Sequence, residues 1–193
     1  MIREHKAGSS GAGIVPWDYY VLNPGLDEAK THTSDGWFTR EMELAYPDAK
    51  VRQSVKILVI PSRWGECVRM LQEAGFDAHG GDISEKGRMW GGERGTRNLH
   101  HADITDMRGF SNSEFDVVYC PNLYDVGADP RAVFELSRVT KPGGRVYFIG
   151  SSRVDSALFE SHGLSVAQEY SVSGLKNSGS FRLVKEPPKE ING

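Results

Sequence analysis

The sequence predicts an α/β fold: a doubly wound, mostly parallel seven-stranded sheet with helices on both faces and a C-terminal antiparallel hairpin. Short apolar runs alternate with helical spacing from residue 55 to residue 149, which implies parallel pairing through right-handed crossovers. After Gly163 the alternation stops, and two strand-like runs follow one another directly. A length of 193 residues suits one domain with a sizeable core.

Residues 55–60, Val-Lys-Ile-Leu-Val-Ile, form an apolar run ended by Pro61 and read as a buried first strand. Cys67, Val68, Leu71 and Ala74 then recur at helical spacing, and Gly75 stands where a helix end favours positive φ. Residues 76–80 read as a second strand that ends at Asp82, and residues 98–102 as a third. Residues 115–119 are the fourth strand. Residues 131–140 are helical, with Ala132, Val133, Leu136 and Val139 on one face. Residues 141–144, Lys-Pro-Gly-Gly, are a turn before a fifth strand at 145–149. Runs at 164–172 and 180–184, joined through residues 174–179, make the hairpin. Before the first strand, Ser34 is placed to cap a helix reaching Tyr46, with Phe38, Met42 and Ala45 along one face.

Four segments follow: a flexible N-terminus at 1–13, an aromatic-rich helical cap at 14–50, the α/β domain at 51–187 and a flexible tail at 188–193. The cap segment concentrates Trp17, Tyr19, Tyr20, Trp37 and Phe38. A formal charge of −3 gives no global field that would draw the chain to nucleic acid or an anionic membrane. No apolar run approaches the roughly 18 residues of a membrane span, and residues 1–13 lack the apolar core of a secretory signal. Cys67 and Cys120 read as two free thiols in a reducing, cytoplasmic setting.

Phe115-Asp-Val-Val-Tyr-Cys-Pro-Asn-Leu-Tyr-Asp-Val-Gly-Ala-Asp-Pro130, followed by Leu136-Ser-Arg-Val-Thr-Lys-Pro-Gly-Gly144, resembles the class I S-adenosylmethionine-dependent methyltransferases. That family has a fourth strand, a loop, a helix opened near Asp-Pro, a turn resembling Arg-Val-Leu-Lys-Pro-Gly-Gly, and a fifth strand. The resemblance spans residues 51–187, the terminal hairpin included. It implies S-adenosyl-L-methionine as cofactor, with S-adenosyl-L-homocysteine as product. It also implies a ligand site at the carboxyl ends of the strands. Asp82, followed by Ile83, matches the acid that accepts hydrogen bonds from the ribose hydroxyls; its other reading is a helix cap. Asp103, followed by Ile104, matches the acid facing the adenine amino group, or else is an exposed loop acid. Pro121 and Asn122, after the fourth strand, match residues beside the cofactor. Tyr124 and Asp125 match a substrate-side run, where they orient or deprotonate a nucleophile, or Asp125 caps the next helix.

The first loop departs from the family. Its usual Val-Leu-Asp-Leu-Gly-Cys-Gly-Thr-Gly is here Ile57-Leu-Val-Ile-Pro-Ser-Arg-Trp-Gly65, so the acid becomes Val59 and two glycines become Pro61 and Arg63. Either Pro61, Ser62, Arg63 and Gly65 form an unusual cofactor loop, with Arg63 pairing the methionine carboxylate and Trp64 stacking on the ligand, or they block it. A second departure is residues 85–98. Gly87, Gly91, Gly92 and Gly95 disfavour helix, and with Arg88, Arg94 and Arg97 the stretch reads as a flexible basic loop: a solvated insertion, favoured by the negative net charge, or else a site for an anionic substrate or partner such as RNA.

Other chemistries lack their signatures. There is no phosphate-binding P-loop and no Gly-x-Ser-x-Gly elbow. His79, His100 and His101 lack zinc-ligand spacing, so no metal is expected. Cys120-Pro-Asn122 is not the [Asn/Asp]-Pro-Pro-[Tyr/Phe] run of methylation on base amines, which disfavours nucleic acid as substrate. The implied function is methyl transfer to a small-molecule acceptor. The alternative is a catalytically inactive methyltransferase-like binding or partner subunit.

Overall fold

The computed structural model describes residues 24–121, 129–151, 155–170 and 179–187. The expectations for residues 1–13, the aromatics Trp17, Tyr19 and Tyr20, the hairpin connection at 174–178 and the tail at 188–193 lie outside these residues.

Seven strands form one sheet in the order β3-β2-β1-β4-β5-β7-β6. They are β1 (Lys56–Val59), β2 (Asp77–Asp82), β3 (Leu99–His101), β4 (Phe115–Pro121), β5 (Thr140–Ser151), β6 (Leu164–Tyr170) and β7 (Gly179–Lys185). β1 to β5 pair in parallel, and β7 enters antiparallel between β5 and β6. The helices are α1 (Pro24–Ala45), α2 (Ala49–Arg52), α3 (Glu66–Glu73), α4 (Glu85–Glu93), α5 (Pro130–Val139) and α6 (Ser156–Ser161).

Alternation along β1 shows why the sheet is covered on both sides. Ile57 and Val59 join a cluster with Phe38 and Met42 of α1, and with Cys67, Val68 and Leu71 of α3. Leu58 and Ile60 join the opposite cluster, with Val133, Leu136 and Val139 of α5 and Phe159 of α6. A strand buried on both faces reads as a continuous apolar run, as residues 55–60 do. The free thiols Cys67 and Cys120 are buried in different clusters.

Three expectations change. The helix expected from Ser34 begins a full ten residues earlier, at Pro24. The turn at 141–144 lies within β5: Phe115 pairs with Thr140 and Val117 with Arg145, so these four residues bulge opposite Asp116. Gly143 there has φ +76°, a conformation that glycine adopts without steric penalty. Lys141 Nζ ties the bulge back by donating 2.8 Å bonds to both Asp116 carboxylate oxygens. Most consequentially, residues 85–93 form helix α4 rather than a loop. Ser84 caps it, its hydroxyl accepting the Gly87 N–H at 3.1 Å.

The stretch between β3 and β4 is pinned by one ion pair on α5. Glu135 accepts from Arg138 Nε through Oε1 (2.7 Å) and from Arg138 Nη2 through Oε2 (2.8 Å). Oε2 also takes the Met107 N–H, and Arg138 donates to the carbonyls of Phe110 and Met107, each at 2.8 Å. On the other face, Phe38 stacks on Tyr119 with ring centroids 3.9 Å apart and planes within 3°.

Phe38→Ala is expected to lower the free energy of unfolding by about 3–5 kcal/mol in urea titrations. A change below about 1 kcal/mol would show that α1 is not part of the cooperative core. The Arg138 guanidinium holds the Glu135 carboxyl below its ordinary range. A depressed carboxylate stabilises above its unfolded pKa of about 4.3 and loses that contribution as pH falls through the folded value. Glu135→Gln is therefore expected to be clearly less stable than wild type near pH 7, with the gap narrowing below about pH 4. A gap independent of pH would disprove this.

Candidate functional site

The carboxyl ends of β1, β2 and β3 surround a cavity of about 180 Å³ lined by Ile60, Pro61, Asp82, Ile83, Ala102, Asp103 and Ile104. Its walls are mainly aliphatic, with two carboxyl groups contributed from neighbouring strand ends. The sheet register explains the grouping: Gly81 pairs with His100, so the residues that follow in β2 and after β3 reach the same edge together. A side chain at Gly81 would crowd Ile60 (3.1 Å) and Ala102 (3.2 Å).

Asp82 is 2% exposed, and its acceptors gather the surrounding pieces. Oδ2 takes the Arg63 N–H at 2.6 Å, and Oδ1 takes the Ser84 N–H at 2.8 Å. Its main-chain carbonyl takes the Ala102 N–H at 3.2 Å and an Arg88 guanidinium N–H at 2.7 Å. Burial pushes its carboxyl pKa up; the two backbone N–H groups and the charges of Arg88 and Arg63 oppose that rise. An ionised carboxylate offers about four lone-pair sites, so each oxygen keeps acceptor capacity. Asp103 is exposed, and its Oδ1 accepts from both the N–H and the hydroxyl of Thr105 at 2.8 Å. Its Oδ2 accepts no hydrogen bond among the described residues.

The first loop stands beside this cavity. Of its residues Pro61 forms part of the wall; Ser62, Arg63 and Gly65 are not among the lining residues. Ser62 N–H donates to Gly81 O at 2.8 Å, and Gly65 N–H closes the turn onto Ser62 O at 2.7 Å. Arg63 adopts φ +54° and Gly65 φ +80°. Against this backbone sits α4. A side chain at Gly87 would lie 2.9 Å from Arg63 O; one at Gly91 would collide with Trp64 O and meet Leu99 at 2.5 Å. The glycines that argue locally against helix are the ones that let α4 reach the loop.

The remaining expected residues fall elsewhere. Pro121 is buried at the end of β4, outside the cavity wall. Asn122, Tyr124 and Asp125 lie outside the described residues. Arg88, Arg94 and Arg97 do not form one basic loop. Arg88 turns to β2, Arg94 bonds its own helix at Trp90 O, and the Arg97 backbone is held by Gln72 of α3. Sequence reasoning missed Ile60 and Ala102 in the wall and Arg88 as a partner of Asp82. The first two have a sequence signal, since each stands at the end of a strand whose next residues approach the ligand edge.

Residues 62–148 match a family model described as a methyltransferase domain. The chain is similar to that family over 87 of its 193 residues. Solved structures share its fold. A chain from the complex between the Haloferax volcanii Trm112 methyltransferase activator and a methyltransferase is 18% identical. It covers 89% of this chain and 98% of its own, with a TM-score of 0.68. The sugar N-methyltransferase KedS8 from Streptoalloteichus is 17% identical, covering 97% and 99%, with a TM-score of 0.63. A sarcosine dimethylglycine methyltransferase from Galdieria sulphuraria is 14% identical, covering 79% and 84%, also at 0.63. No curated protein sequence matches the chain.

In the first loop, Arg63 and Gly65 take left-handed backbone at two positions where the resemblance places glycine. Arg63 thus holds a backbone conformation that glycine adopts without steric penalty. The close contact with α4 yields a paired test. Gly91→Ala is expected to cost about 1–3 kcal/mol, because the collision forces α4 away from the loop. Gly92→Ala, where a side chain meets open space, is expected to gain about 0.5–1 kcal/mol from helix propensity. Thermal unfolding of both variants decides the matter. Equal effects would mean that α4 does not pack on the loop.

Proposed function

We propose that this chain is an S-adenosylmethionine-dependent methyltransferase acting on a small-molecule acceptor. One observation carries the reading: acids at the ends of adjacent strands β2 and β3 face a single aliphatic cavity. That donor set suits a nucleoside. Ile60, Pro61, Ile83, Ala102 and Ile104 offer apolar surface to a base. Asp82 retains lone pairs for ribose hydroxyls, and Asp103 Oδ2 is placed to accept from an exocyclic amine. When bound, S-adenosylmethionine supplies an electrophilic methyl group. The chain supplies proximity and orientation through these contacts, which suffice for an acceptor that is already nucleophilic.

The small-molecule assignment is supported by the absence of the base-amine signature after β4. The sugar N-methyltransferase and the sarcosine dimethylglycine methyltransferase are, by their names, enzymes of small acceptors on this fold. The Haloferax volcanii structure contains a methyltransferase activator, and we extend to this chain the proposal of a protein partner.

Calorimetric titration with S-adenosylmethionine and S-adenosylhomocysteine tests the reading. Saturable binding is expected. Asp103→Ala should weaken it about tenfold, the scale of one lost hydrogen bond to a charged group, with the melting temperature unchanged. No heat from wild type at millimolar ligand would sink the proposal.

A further inference from the structure

Arg88 lies in the first turns of α4, one turn beyond the Ser84 cap. Long side chains on a helix lean toward its N-terminus, which carries this guanidinium back to the end of β2. There Nη1 donates to Asp82 O at 2.7 Å and lies 3.3 Å from Nδ1 of His101, the last residue of β3. The residue thus spans the two strand ends that form one side of the cavity. Asp82 O also takes the Ala102 N–H, so Arg88 joins the final rung of the β2–β3 pairing. Charged and titratable groups around Asp82 come from three pieces of the chain: Arg63 after β1, Arg88 on α4, and His101 with Asp103 at the end of β3.

We propose that Arg88 is a positioning residue for ribose recognition: it fixes the end of β2 and places its charge beside the Asp82 carboxylate at the cavity. This rests on the nucleoside reading above. Burial favours a neutral Asp82, and a neutral acid has lost acceptor capacity toward a diol. The positive charge of Arg88 opposes that change without touching the ligand. The helix therefore does two things at once: its glycines seat the first loop, and its arginine holds the strand end that carries the acid between them.

The test follows the dissociation constant of S-adenosylhomocysteine against pH for wild type, Arg88→Lys and Arg88→Gln, beside an NMR titration of the Asp82 carboxyl carbon in ligand-free protein. Gln keeps a donor for Asp82 O and removes the charge. In wild type, affinity should fall as acid protonates Asp82. Arg88→Gln should move that limb and the Asp82 midpoint to higher pH together. Arg88→Lys should restore most of both. Uniform weakening with an unmoved acidic limb would show a purely structural role and overturn the inference, as would wild-type behaviour in Arg88→Gln. Wild type that binds no S-adenosylhomocysteine removes the functional reading, and this inference with it. Wild-type binding with insensitive Arg88 variants removes the inference alone.

Discussion

The carboxyl end of β2 is held by a residue that is buried and accepts from every element around it. Asp82 takes N–H groups from the first loop at Arg63, from the helix start at Ser84, from the neighbouring strand at Ala102 and from the helix face at Arg88. Burying a carboxylate is costly unless its oxygens are hydrogen-bonded, and here the bonds come mostly from backbone whose position the sheet fixes. The first loop, the α4 N-terminus and the β3 end are thereby registered against one another. The cavity is the space left between them. Its shape depends on that node more than on any other residue of its wall.

A second constraint works through the absence of side chains. The loop after β1 departs from glycine at Pro61 and Arg63, yet Arg63 still takes left-handed backbone, at about 1–2 kcal/mol for a non-glycine residue. The room that loop glycines usually provide is found instead on α4, at Gly87 and Gly91, one helical turn apart on one face. Backbone meets backbone where α4 packs on the first loop, with the small residues on the helix. Asp82 then fastens the two together, taking the Arg63 N–H of the loop and the Ser84 N–H at the helix start.

Elements whose cues are local were legible in the sequence. The run at 55–60 is apolar because β1 is buried on both faces, and α5 shows Ala132, Val133, Leu136 and Val139 at helical spacing because one face meets the sheet. Asp82 and Asp103 were readable as strand-end acids, since their place depends only on where strands stop. Helix α4 was not legible. Propensity counts each glycine as a local penalty, whereas Gly91 answers to a carbonyl 27 positions earlier in the chain, at Trp64. The part played by Arg88 was hidden for the same reason: its partners belong to β2 and β3, and only the fold brings them together.

The glycine pair on α4 also bears on how such a domain is altered or transplanted. The requirement for close approach belongs to the interface between loop and helix, so either partner can satisfy it and neither can be judged singly. Grafting a glycine-rich loop onto this chain would leave a gap beside α4, and grafting a more bulky helix would evict the loop it has. Loop and helix form one exchangeable module of roughly thirty residues, and substitutions across it are coupled rather than additive.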